Sequence, residues 1–143
     1  MGTRCLTVFS DEEGKEIAVM YRQFDGYLDG HGRELASFLR ERYLTNGYSM
    51  DDVSTGKCAN GMGDLVAQVI CQFKLDNRLG GIYVYPAGTR DIGEEFVYFV
   101  RPSRSWNGEG HGRIVVTAEW KDGTREHRKV LCGWPNHDHR GAQ

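Results

Sequence analysis

Several things are scarce or missing in this chain. Proline occurs three times in 143 residues, no apolar run approaches the length that spans a bilayer, and Cys5, Cys58, Cys71 and Cys132 never form a C-x-x-C pair. Unpaired, scattered cysteines exclude a disulfide-dense scaffold and a thioredoxin-like dithiol. With no cationic-then-apolar leader visible, a reduced, cytoplasmic setting is the expectation, with Cys5 and Cys71 as small core hydrophobes. Charge of one sign is also lacking. A net charge of −2 argues against general nucleic-acid binding, which needs a basic face. The chain holds no G-x-S-x-G elbow, no H-E-x-x-H, no P-loop and no dinucleotide fingerprint. No cofactor is expected, therefore, and the balance leans away from an enzyme.

What is present suits one folded domain. Hydrophobic residues make up 39% and charged residues 27%, too apolar for a disordered chain. Residues 1–132 read as a single α+β domain and 133–143 as a His-rich tail. Nineteen glycines without a short period point to tight turns and loops that let a ligand approach the backbone. Arg outnumbers Lys 13 to 5, and its planar fork suits carboxylates and phosphates, although a mixed solvated surface accounts for most of these arginines. Residues 1–100 carry net −5 and residues 101–143 net +3.

Patterning gives the order ββ-αα-ββ-ββ. Leu6–Phe9 and Ile17–Tyr21 form a hairpin turned at Gly14. Arg33–Tyr43 is a helix with Leu35, Phe38, Leu39 and Tyr43 on one face, capped at Asn46-Gly47. A second helix runs from near Asp64 to before Asn77, with Leu65, Val66, Val69, Ile70 and Phe73 at helical spacing. Gly81–Tyr85 pairs with Phe96–Val100, and Arg113–Trp120 pairs with Arg125–Leu131 across Asp122-Gly123. Segregated runs of this kind predict a mostly antiparallel sheet of about six strands with two helices on one face.

Three clusters could carry chemistry. The strand-to-helix junction Tyr21–Arg33 holds Arg22, Gln23, Asp25, Tyr27, Asp29, His31 and Arg33 among glycines. A second glycine-rich helix start lies at Asn60-Gly61-Met62-Gly63, and helix N-termini favour anions unless an aspartate caps them first. The third cluster is Tyr85, Thr89, Arg90, Asp91 and Glu94, where tyrosines could stack a ring and an arginine clamp it. A buried ion pair tying the junction to the sheet is the structural alternative for Arg22 and Asp25. His31 with Asp25 is a weaker acid–base candidate. Cys132, His137 and His139 are weak metal candidates, since their spacing matches no common zinc module.

The start Met1-Gly-Thr-Arg4, the run Tyr21-Arg-Gln-Phe-Asp-Gly-Tyr27 with Gly30-His-Gly32, Asn60-Gly-Met-Gly63 and Tyr85–Glu94 together resemble a widespread group of small uncharacterised phage, prophage and bacterial proteins. These begin M-G-T-R and carry a Y-x-x-[FW]-D-G-Y-x-x-G-x-G core. The likeness covers the first two thirds, and the group's proline after Tyr27 is Leu28 here. It implies a mobile-element accessory protein, for which sequestering a defence signal would be one anti-defence use, and transfers no functional residue.

The combined expectation is a non-catalytic protein that binds or sequesters a small anionic, nucleotide-like ligand. Arg22, Gln23, Asp25, Tyr27, His31, Arg33, Asn60, Gly61, Tyr85, Thr89, Arg90 and Glu94 would contact it. The alternatives are a protein–protein inhibitor of a host system, using Trp106, Trp120 and Trp134, and a small hydrolase using His31 and Asp25. A homo-oligomer fits any of these; a membrane partner fits none.

Overall fold

A computed structural model describes residues 2–133. Residues 134–143 of the expected tail, with His137, His139 and Trp134, lie outside the described residues. The fold is α+β, as the patterning predicts. Strands β1 (Cys5–Ser10), β2 (Glu16–Arg22), β5 (Ile82–Pro86), β6 (Phe96–Pro102), β7 (Ile114–Asp122) and β8 (Arg125–Cys132) form one sheet in the order β5-β2-β1-β6-β7-β8. All neighbours are antiparallel except β1 and β6. Gly14 and Gly123 sit at positive φ (83° and 66°) in the two turns where their hairpins need it.

Between β2 and β5 the chain makes a π-helical turn (Leu28–Gly32), α1 (Arg33–Arg40), β3 (Tyr43–Thr45), α2 (Met50–Thr55), β4 (Cys58–Asn60) and α3 (Gly61–Leu75). The expected first helix therefore stops at Arg40, and Tyr43 begins a strand paired in parallel with Cys58. Its successor begins three residues earlier than Asp64. The polar segment 48–60 conceals α2, which opens on a capping box between Ser49 and Asp52 and closes on left-handed Gly56.

Period-2 alternation sorts the sheet's side chains between two faces. Cys5, Phe9, Met20, Tyr98, Val100, Val116 and Ala118 face α1 and α3, where Leu35, Leu39, Leu65, Val69 and Phe73 cover them. Leu6, Val8, Val19 and Tyr21 face the other way and pack with Val97 and Phe99. That second cluster explains the most substantial correction to the expected topology. β5 and β6 are not a hairpin pair; they are separated by β2 and β1. The connection 87–95 passes from β5 to β6 as a strap on the helix-free face, with Arg90 lying 5.8 Å from the centre of the Phe99 ring, which packs in the same cluster as Leu6 and Val8. Cys71 is also corrected, from core to exposed, whereas Cys5 is fully buried. Among the described residues no helix is long and apolar enough to cross a membrane.

Candidate functional site

The Tyr21–Arg33 junction folds inward. Tyr98 donates its hydroxyl hydrogen to the Gly26 carbonyl (2.7 Å), and the His31 N–H reaches back to the Asp25 carbonyl (2.7 Å). Glycine is required where this loop closes. A Cβ at Gly30 would sit 2.5 Å from the Asp25 oxygen, and one at Gly26 would sit 2.8 Å from the Cys5 Cβ.

The closure drives His31 to zero exposure between the rings of Phe73 (5.0 Å) and Tyr98 (4.9 Å). Its Nδ1 lies 3.3 Å from Arg22 and its Nε2 lies 2.7 Å from the Thr7 hydroxyl. Guanidinium can only donate, so Nδ1 accepts and Nε2 carries the proton. Burial, followed by the neighbouring Arg22 charge, holds the imidazole pKa down at about 3. Arg22 itself is buried; it donates to Glu34 at 2.7 Å and approaches Asp25 at 3.9 Å. This is a polar lock inside the core, closest to the structural alternative for Arg22 and Asp25. His31 meets no carboxylate, so it forms no acid–base couple with Asp25.

The remaining junction residues are outside that lock. Gln23 accepts from the Tyr21 hydroxyl (2.8 Å), exposed Tyr27 donates weakly to Asp25 (3.4 Å), and Arg33 pairs with Asp29 on the surface.

The second cluster is capped from within. The backbone N–H of Met62, at the start of α3, donates to Glu12 of the β1–β2 hairpin (2.8 Å), and Asp64 accepts from the Asn60 N–H (2.8 Å). Asn60 also receives the Gly47 N–H (2.6 Å). A cavity of about 560 Å³ does open there, lined by Asn60, Gly61, Asn46, Asn107 and Trp106. Its charged groups are Glu12 and Glu13, which oppose an anion.

In the third cluster Arg90 makes a paired contact with Glu16 (2.9 and 3.1 Å), and that hydrogen bonding is the chief cause lowering the Glu16 pKa. Glu94 accepts the Asp91 and Ile92 N–H groups, Thr89 bonds the Pro86 carbonyl, and Tyr85 packs edge-on to Tyr21. These groups pin the strap. Arg22 and Arg90 occupy opposite faces of the sheet, and α3 starts elsewhere again, so the three clusters do not assemble into one pocket. Cys132, the described member of the weak metal set, is buried with its sulfur toward the Ile114 carbonyl; no group of three or more His, Cys, Asp or Glu able to hold a metal occurs among the described residues.

A different place gathers cations. Two adjoining cavities of about 230 and 290 Å³ share Arg40 at the end of α1. The first is lined by Arg40, Arg42, Tyr43, His111, Arg113 and Cys132; among the described residues no carboxylate lines it directly, although Asp52 contacts its His111. The second is lined by Arg33, Arg40, Lys129 and the small residues Gly32 and Ala36, with Asp29 as its one acid.

Local folding explains the convergence. Arg33 and Arg40 are seven residues apart, two turns on one helical face, and α1 packs beside β8 with Arg40 donating to the Leu131 carbonyl (3.4 Å). Leu44 and Gly112 exchange two backbone hydrogen bonds of 2.8 Å, which pins the loop before β7 and brings His111 and Arg113 to the rim. Tyr43 stacks on His111 at 4.1 Å while bonding Asp52 at 2.8 Å. The Ser49 backbone N–H and the Tyr43 hydroxyl together hold the Asp52 carboxyl below its ordinary range, and its carboxylate lies 3.4 Å from His111. Of the residues named from the sequence clusters, Arg33, Asp29 and the weak metal candidate Cys132 lie here. The one sequence trace of the rest is the net positive charge of residues 101–143.

No protein-family model matches this chain, and no curated protein or solved structure matches it either.

Proposed function

We propose that the protein is a non-catalytic accessory protein that binds a small anionic, nucleotide-like ligand in the cationic groove between α1 and the β7–β8 edge. One observation carries this reading. In a chain of net charge −2, Arg33, Arg40, Arg42, Arg113 and Lys129 line two cavities sharing Arg40, and among the described residues Asp29 is the one carboxylate in their lining. Arginine forks suit phosphate oxygens, and the outer face of exposed His111, backed by Tyr43, is available to a base or sugar ring. Among the described residues, the groove's one thiol, Cys132, is buried with its pKa pushed up and its sulfur toward the Ile114 carbonyl rather than a base, which favours capture over turnover. The resemblance to phage and prophage proteins supports an accessory, anti-defence setting in which retaining such a ligand is useful.

Thermal-shift titration with adenosine monophosphate and pyrophosphate tests the reading. The unfolding midpoint rises with ligand concentration in the wild type. Arg40→Ala together with Arg113→Ala abolishes the rise without lowering the unliganded midpoint by more than a few degrees, because both side chains are exposed. A rise that survives both substitutions, or no rise in the wild type, overturns it.

A further inference from the structure

The cavity of about 560 Å³ beside the start of α3 shares no lining residue with the cationic groove, and its chemistry is different. Trp106 supplies an apolar plane. Its ring lies against Gly112, where an added Cβ would come within 2.5 Å of it, and its indole N–H donates to the Gly110 carbonyl (3.2 Å). With that nitrogen spent inside its own loop, the half-buried ring offers a ligand apolar surface alone.

Three carboxamides line the same cavity: Asn46, Asn60 and Asn107. The Asn60 oxygen accepts the Gly47 N–H (2.6 Å) and the Asn107 oxygen accepts the Glu109 N–H (3.0 Å), which sets the orientation of both groups. Among the described residues, none of the three NH2 groups has an acceptor within the fold. Glu13 adds a carboxylate that likewise has no partner among them, whereas Glu12 is committed to the Met62 N–H. Gly63 gives a separate clue. It lines the cavity from the first turn of α3 without a positive φ, and an added Cβ there would meet nothing within 4 Å. Glycine is unfavourable in a helix relative to alanine, and neither backbone conformation nor packing accounts for it here. Its missing side chain leaves room at the cavity wall.

We infer that this cavity binds an uncharged sugar, with the ring's C–H face on Trp106 and its hydroxyls bonded to the three carboxamides and Glu13. Carboxamide NH2 groups donate to hydroxyl oxygens and the carboxylate accepts hydroxyl hydrogens, so donors and acceptors are both met around one apolar plane. Glu12 and Glu13 repel an anion, and a wholly apolar ligand would strip water from the amides without replacing it.

A glycan array probed with the full chain, followed by calorimetry with the best-retained free oligosaccharide, tests this. The wild type retains neutral glycans and discriminates against their sulfated forms. Asn46→Ala, which removes no bond among the described residues, weakens binding about fivefold. Gly63→Leu fills the opening and abolishes binding, while the unfolding midpoint holds or rises because leucine favours the helix. That combination separates a blocked site from a misfolded protein. Failure to retain any neutral glycan, a preference for sulfated glycans, or binding that survives Gly63→Leu overturns the assignment.

Discussion

His31 and Arg22 show how one residue's environment decides its role. A histidine flanked by glycines suggests an open, titrating ring, but those glycines are what allow the loop to close over it. Because the folded pKa is about 3 and the unfolded value is near 6.5, the unfolded chain binds the extra proton between those values. The contribution to stability is complete above pH 6.5 and is lost as the pH falls toward 3. Urea unfolding of the wild type therefore weakens between pH 6.5 and 4 more steeply than that of His31→Gln. Parallel pH profiles for the two proteins would contradict the assignment. Arg22→Ala removes the charged hydrogen bond to Glu34 and the contact with His31. The expected cost is about 2–3 kcal/mol, below that of breaking a fully buried ion pair, because half-exposed Glu34 can regain water. Equilibrium denaturation measures it.

At the level of elements, local patterning made the six strands of the main sheet and both longer helices legible, but not the short β3 and β4, nor the pairing across the chain. The β1–β2 and β7–β8 hairpins follow from turn chemistry at Gly14 and Gly123. The partner of Phe96–Val100 does not, because nothing local distinguishes a hairpin from a strap that crosses a sheet face. Leu6 and Val8, alternating with Cys5, Thr7 and Phe9 and all fully buried, are the clue that both faces of β1 are covered. Arg90→Ala unpins the strap from Glu16, and hydrogen exchange should quicken at 87–95 while α1 and α3 keep their protection. Uniform exchange in the variant would argue against the strap as a separate unit. Glu12 caps α3 from a distant hairpin. Glu12→Ala should cost about 1 kcal/mol of stability, read from the denaturation midpoint.

Over the whole molecule, the two arginines expected to clamp a ligand instead serve the fold, one on each side of the sheet. The arginines of the proposed groove lie where α1 meets β7 and β8. Arg33 and Arg40 share a helical face that sequence spacing reveals. Arg113 and Lys129 join them only through strand pairing, and Arg42 through the turn into β3. Their joint signature in the sequence is a charge imbalance between the two parts of the chain, which marks a region but not a site. The proposed anion site is therefore the α1–β7–β8 groove rather than the glycine-rich junction.

An amide-resolved nuclear magnetic resonance titration of the full chain with adenosine monophosphate locates the ligand directly. Saturable shifts should concentrate at Arg33, Arg40, His111, Arg113 and Lys129, with the amides of Arg22, His31, Arg90 and Glu94 unmoved. Shifts centred on Tyr27 or the 87–95 strap, or none at millimolar ligand, would contradict the account.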